Sequence, residues 1–83
     1  DHWQAWNKLG AMRLELKDPR KAVTAFRRAI EIFPQGALAY NNLGLAYGAI
    51  GDMRRAETAF RKALEIDPGF VKARNNLGLL LNQ

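Results

Sequence analysis

The sequence predicts an all-α fold in which antiparallel helix hairpins stack into an α-solenoid. The first observation is an internal repeat, because residues 3–36 and 37–70 align without a gap and are identical at 15 of 34 positions. The second is the helical spacing of apolar residues, and the third is the presence of Asp, Pro and Gly where helices would begin and end. Similarity at this period is typical of helical repeat arrays.

Each repeat is predicted to form two helices. In the first half of the first repeat, Trp6, Leu9, Met12 and Leu16 recur at spacings of three and four, which is the period of one helical face. The same pattern returns in the second repeat, and a third copy begins at Val71. We therefore expect one domain over 1–83, made of a repeat over 3–36, a repeat over 37–70 and a partial repeat or capping helix over 71–83.

Capping residues mark the helix boundaries. Asp18 and Asp52 precede the second helices as N-caps, and Pro19 occupies a first helical position. Pro34 and Pro68 end these helices, because the residue before a proline avoids the helical region. The predicted helices lie near 3–16, 19–32, 37–50, 53–66 and 71–82.

Glycine has two predicted roles. Gly51 can cap the first helix of the second repeat in a left-handed conformation, whereas Lys17 at the matching position predicts a different first turn. One glycine also recurs inside each first helix. In the first repeat, the missing side chain would let the second helix approach closely at Ala22, while Phe26 would fill the space between adjacent hairpins. These recurring glycines are Gly10, Gly44 and Gly78.

The composition is that of a small globular domain, with 83 residues, 48% hydrophobic and 25% charged. No cysteine is present, which excludes disulfides and thiol catalysis. No apolar run approaches the roughly 18 residues of a membrane span, and no signal peptide opens the chain, so neither membrane insertion nor a compartment is predicted. Because the first residue is Asp1, we expect a piece of a longer protein.

The repeat resembles the tetratricopeptide repeat (TPR), whose signature is W-x2-L-G-x2-Y…A-x3-F…P over 34 residues. The first repeat matches at Trp6, Leu9, Gly10, Ala22, Phe26, Ala29 and Pro34. The second matches at Tyr40, Leu43, Gly44, Tyr47, Ala56, Phe60, Ala63 and Pro68. The resemblance implies a right-handed superhelix whose first helices line a concave groove, and a non-catalytic scaffold that binds a protein or peptide there.

The resemblance also implies which residues line the groove, and asparagine is prominent among them. An amide offers a donor and an acceptor, so a column of asparagines could pair with the main chain of an extended peptide. Alternatively, the asparagines only fix neighbouring helices, above all the second column of Asn42 and Asn76. The predicted groove residues are Asn7, Ala11, Leu38, Asn41, Asn42, Leu45, Lys72, Asn75 and Leu79.

A narrower family function, the clamp that grips an acidic C-terminal peptide, is not favoured. Only Asn42 and Lys72 match its pattern. The other three clamp positions fall at Asn7, Ala11 and Asn76, which are the wrong residue types.

Eight of the thirteen basic residues lie on the second helices, in pairs about seven apart. This pattern indicates either a solvated convex face or, less favoured, a binder of nucleic acid or another anionic polymer, since phosphate contacts are largely electrostatic. No aromatic residue interleaves with these cations to stack bases. The residues are Arg20, Lys21, Arg27, Arg28, Arg54, Arg55, Arg61 and Lys62.

Neither catalysis nor a cofactor is predicted. His2 is the only histidine and lies at the chain start, and Glu57 and Glu65 alternate with cations on a helix surface. No metal-ligand or phosphate-loop pattern occurs.

The last predicted helix has no partner helix after it, and Leu77, Leu80 and Leu81 are predicted to drive self-association there, as a homo-oligomer.

Overall fold

The computed structural model describes residues 2–82 and confirms the all-α prediction. Every predicted helix is present, with its ends within one residue of the expected position. Over the described residues the chain contains no strand. The helices are α1 (Trp3–Glu15), α2 (Pro19–Ile32), α3 (Ala37–Ile50), α4 (Met53–Ile66) and α5 (Val71–Leu81).

The helices form two layers with α3 at the centre. Each helix packs against the next along the chain, so that α1 with α2 and α3 with α4 form hairpins. The first helices also contact one another, α1 against α3 and α3 against α5, while α2 and α4 lie on the other side. Helix α3 is therefore the one helix of residues 2–82 that contacts all four others.

The predicted N-caps are confirmed. The Asp18 carboxylate accepts a hydrogen bond from the Lys21 backbone amide at 3.4 Å. The Asp52 carboxylate accepts a hydrogen bond from the Arg55 backbone amide at 3.1 Å. The Arg55 guanidinium also lies 2.7 Å from Asp52. Its hydrogen bonds hold the pKa of Asp52 below the ordinary value, so this cap stays ionised to lower pH than a free aspartate.

The turn inside the first hairpin differs from that of the second at the helix end, because α1 ends at Glu15 with Leu16 as its C-cap, whereas α3 continues to Ile50 and is capped by Gly51. The backbone at the matching positions 17 and 51 is nevertheless alike. Lys17 has φ 64° and Gly51 has φ 97°, so both adopt the left-handed conformation. In each hairpin the backbone amide of the following residue closes the turn with a hydrogen bond. The Asp18 amide donates to the Arg13 carbonyl, and the Asp52 amide donates to the Tyr47 carbonyl, both at 2.9 Å. The closing bond imposes the left-handed conformation on Lys17 despite its side chain.

The core is built largely from alanine. Small side chains let helix axes approach closely, and the only large apolar side chains buried among the described residues are two phenylalanines and two leucines. The buried apolar residues are Ala22, Ala25, Phe26, Ala29, Ala39, Leu43, Ala46, Ala56, Ala59, Phe60, Ala63, Ala73 and Leu77.

A phenylalanine ring lies against the buried glycine of the first helix in each hairpin. A Cβ atom added to Gly10 would lie 2.5 Å from Cε1 of Phe26, and one added to Gly44 would lie 2.5 Å from Cε1 of Phe60. The atoms nearest to the added Cβ at Gly10 belong to Phe26 and not to Ala22. The Phe26 ring also packs in one cluster with Leu43 of the next hairpin, so it joins helices within and between hairpins.

We expect Gly44→Ala and Gly78→Ala to change stability in opposite directions. The first places a methyl group against the Phe60 ring and should lower the free energy of unfolding by about 1–3 kcal/mol. A Cβ at Gly78 has no neighbour within 4 Å, so Gly78→Ala should raise it by about 0.5–1 kcal/mol through helix propensity. Urea denaturation measures both, and equal effects would contradict the proposed role of the ring.

Candidate functional site

The concave layer of α1, α3 and α5 exposes most, but not all, of the predicted groove residues. Leu38 and Leu45 are about 40% exposed and Leu79 is 66% exposed. Asn7 and Asn42 are half-buried, and Asn41 is only 2% exposed. The exposed polar and small members of the predicted set are Ala11, Lys72 and Asn75.

The two predicted asparagine columns bond to each other between repeats. Asn42 Nδ2 donates to Asn7 Oδ1 at 3.0 Å, and Asn76 Nδ2 donates to Asn41 Oδ1 at 2.9 Å. The interaction therefore recurs once per repeat between adjacent first helices. Asn41 is buried and its amide oxygen already accepts this bond, so the structure does not expose Asn41 at the groove surface as predicted. Asn75, at the same repeat position in α5, remains exposed.

We expect Asn41→Ala to destabilise the fold and Asn75→Ala to leave it unchanged. Removing the Asn41 carbonyl breaks a partly buried hydrogen bond and should lower the free energy of unfolding by roughly 1–3 kcal/mol. The exposed Asn75 should contribute less than about 0.5 kcal/mol. Thermal or urea unfolding of the two variants tests this difference, and equal losses would show that the inter-repeat bond has no special role.

A depression of about 240 Å³ opens between α3, α4 and α5. Gly48 lines it at the repeat position where the first hairpin has Leu14, a leucine that packs against the core. A Cβ at Gly48 would have nothing within 4 Å. The depression was not predicted from the sequence, where its only signal is that the second repeat has Gly48 at the position of Leu14. The lining residues are Gly44, Leu45, Gly48, Met53, Phe60, Asn76, Leu79 and Leu80.

The leucines predicted for self-association are not equally accessible. Leu77 is only 9% exposed because it packs against Ala56 and Phe60, which corrects its placement on the outer surface. Leu80 is half-buried and packs against the same cluster. Leu81 is 55% exposed, so Leu79 and Leu81 are the accessible leucines of α5.

On the opposite side, a wider open cleft of about 660 Å³ lies between α2 and α4 with α3 as its floor. Tyr40 and Tyr47 of α3 reach this cleft, so aromatic side chains do meet the basic helices, contrary to the sequence-based expectation. The charged lining residues are Arg27, Glu31, Arg55 and Lys62.

Five of the eight cations predicted for the convex face pair with a carboxylate, three on their own helix and two at its N-cap. Arg61 lies 2.9 Å from Glu57 and Lys62 lies 3.3 Å from Glu65. Within residues 2–82, Arg27 has no carboxylate within ion-pair distance. Over the same part of the chain, no three His, Cys, Asp or Glu side chains group as metal ligands would, and no helix has the length and apolar character for a membrane crossing.

The fold and the concave layer define a helical repeat protein of the solenoid class. The sequence profile of the tetratricopeptide repeat family matches residues 4–68, and the chain belongs to this family. Its fold is that of a protein-interaction scaffold. None of the curated protein sequences matches the chain.

Solved structures superpose closely on these helices. MamA matches 98% of this chain at 32% identity and a TM-score of 0.92, and this chain spans 47% of it. The Sgt2 TPR domain of Aspergillus fumigatus matches 94% at 27% identity and a TM-score of 0.91, with 52% of that domain covered. This chain thus spans about half the length of each.

The second TPR domain of Spaghetti was solved bound to the HSP90 peptide SRMEEVD. It matches 99% of this chain at 21% identity and a TM-score of 0.93, with 76% of that domain covered. At this identity the likeness establishes the fold alone.

Proposed function

We propose that the chain is a non-catalytic scaffold that binds a peptide segment of a partner protein in the groove of α1, α3 and α5. The depression at Gly48 is the observation that carries this proposal. It opens beside Leu45 and Leu79, which are exposed at the groove, and its lining is mostly apolar. A concave apolar site with few polar groups is the usual form of a binding site.

The ligand chemistry follows from the exposed residues. An apolar side chain of the peptide enters the Gly48 depression, where Leu45, Met53 and Leu79 exclude water from it. Asn75 and Lys72 on α5 remain exposed beside the groove and offer polar contacts to the main chain or to a carboxylate. The asparagines that bond between α1 and α3 or between α3 and α5 support the groove and keep its helices in register.

Spaghetti binds an acidic peptide of HSP90, but we do not propose this ligand for the present chain. Three of the positions that grip such a carboxylate terminus in related proteins fall at Asn7, Ala11 and Asn76. Asn7 and Asn76 take part in the bonds between repeats. An apolar anchor therefore fits the groove better than a terminal carboxylate.

Gly48→Leu tests the proposal because it installs the residue that the first hairpin has at this position. The leucine should fill the depression and raise the free energy of unfolding by about 0.5 kcal/mol or more, since glycine is a poor helix former. A peptide selected on the native chain from a displayed library should bind the variant at least about tenfold more weakly, or about 1.4 kcal/mol.

The matched control is Ala49→Leu, which adds the same side chain at the neighbouring exposed position. Its peptide affinity should equal that of the native chain. Equal affinity of native and Gly48→Leu proteins for every selected peptide would exclude the Gly48 depression as the binding site.

A second candidate function is anion binding at the convex cleft between α2 and α4. The observation that favours it is the meeting of Tyr40 and Tyr47 with Arg27, which has no carboxylate partner within residues 2–82. Aromatic rings beside cations are the combination that binds single-stranded nucleic acid.

A single-stranded oligonucleotide is the appropriate probe for this second function. If it binds in the cleft, Arg27→Ala should reduce the slope of log affinity against log salt by about 0.7, the contribution of one phosphate contact. The control Arg20→Ala removes an exposed cation of α2 that does not line the cleft. Identical slopes for the two variants, measured by fluorescence anisotropy, would contradict specific binding there.

A further inference from the structure

The convex cleft between α2 and α4 contains one cation that has no carboxylate partner among the described residues. Three basic residues line this cleft. Arg55 lies 2.7 Å from Asp52, and Lys62 lies 3.3 Å from Glu65. Arg27 is exposed and, within residues 2–82, no carboxylate lies at ion-pair distance from it. Arg27 is therefore the lining cation whose charge is available to an external anion.

The second repeat shows what leaves Arg27 unpaired. Its matching cation, Arg61, lies 2.9 Å from Glu57, one helical turn before it on α4. The first repeat has Val23 at the position of Glu57, so α2 lacks the carboxylate that would pair with Arg27 at the same spacing. Val23 itself does not line the cleft but packs against the buried cluster around Phe26. A residue outside the cleft therefore sets the charge inside it.

The two tyrosines of the cleft differ in how their rings are used. Tyr47 packs against both clusters of buried residues, around Phe26 and around Phe60. Tyr40 is half-buried and, over the described part of the chain, packs against neither cluster. The Tyr40 ring is therefore the one that can offer a face to a planar ligand. Stacking on aromatic side chains is how nucleobases are bound without sequence preference.

The size and the remaining charge of the cleft favour a single nucleotide unit. The cleft volume of about 660 Å³ lies within the range of small-molecule sites, roughly 300–1,000 Å³. Glu31 also lines the cleft and lies 3.6 Å from Arg28, so it lowers the net positive charge there. One unpaired arginine beside a carboxylate can neutralise one phosphate but not a polyphosphate.

We propose that the cleft binds one nucleotide unit, with its phosphate on Arg27 and its base on Tyr40, and that Val23 determines this specificity by leaving Arg27 unpaired. The proposal rests on the second candidate function, anion binding at this cleft, and names its ligand. The unit is either a free nucleotide or one link of a single strand, because both present the same base and phosphate.

The test titrates adenylyl-adenosine, which has one bridging phosphate, into the isotopically labelled chain and follows the backbone amides by NMR. The slope of log affinity against log salt should be about −0.7 for the native chain, the value for one phosphate contact. Val23→Glu should supply the missing partner of Arg27. It should weaken binding about threefold to fivefold, the range for an exposed ion pair, and bring the slope close to zero.

Val23→Gln is the matched control. Glutamine has nearly the shape of glutamate, so it causes the same loss of packing at this half-buried position but cannot neutralise Arg27. Its affinity and salt slope should equal those of the native chain. Tyr40→Leu is a second, independent variant, which should weaken binding while the slope stays near that of the native chain, because the phosphate contact remains.

Adenosine 5′-monophosphate is the second probe and distinguishes the two sources of the ligand. Tighter binding of this mononucleotide than of adenylyl-adenosine would support a free nucleotide, and the reverse order would support a strand.

Three results would overturn the proposal. Equal affinities and slopes for the native and Val23→Glu chains would do so while leaving anion binding at the cleft in place. An equal loss in Val23→Gln would assign the effect to packing at Val23 and not to the charge of Arg27. A native chain that binds neither probe at millimolar concentration would overturn the second candidate function as well.

Discussion

The contact between a glycine of α1 or α3 and a phenylalanine of the second helix in the same hairpin determines how this chain packs. With no side chain at Gly10 or Gly44, the ring of Phe26 or Phe60 can lie directly on the helix backbone. The remaining contacts of the hairpin can then be made by alanines, which add little bulk between the axes. A small domain obtains a close-packed core in this way with few large apolar residues.

The same rings join successive hairpins, because Phe26 packs against residues of α3 as well as within its own hairpin. Hydrogen bonds from Asn42 to Asn7 and from Asn76 to Asn41 add a polar tie at the same spacing. Apolar packing sets the distance between first helices, and the amide pairs fix their register. The groove and its Gly48 depression depend on both, since the lining residues come from three different helices.

Local features of the fold could be predicted from the sequence. Helix period, the aspartate caps and the prolines act within a few residues of the chain, so they indicated all five helices. Interactions between repeats could not be predicted in the same way. The asparagine columns bond to each other because α1 and α3 pack with Asn7 beside Asn42. This alignment of the two helices depends on tertiary packing and not on the local sequence. Lys17 likewise adopts the conformation of Gly51 because the closing hydrogen bond of the hairpin requires it.

The candidate site shows the same limit. The groove helices were expected from the resemblance to the repeat family, but burial of Asn41 and Leu77 follows from tertiary contacts with α5 and α4. The tyrosines of the convex cleft belong to α3, while the cations belong to α2 and α4, so their meeting is not apparent along the chain. Sites formed by several helices become visible only when the helices are placed together.

The role of the glycine–phenylalanine contact is tested most directly by a double-mutant cycle of Gly44→Ala and Phe60→Leu. Urea denaturation of the native chain, both single variants and the double variant gives the coupling energy. We expect the smaller leucine to make room for the methyl group, so that the double variant loses at least about 1 kcal/mol less stability than the sum of the single losses. Additive losses, within about 0.5 kcal/mol, would show that the ring and the glycine do not determine the packing together.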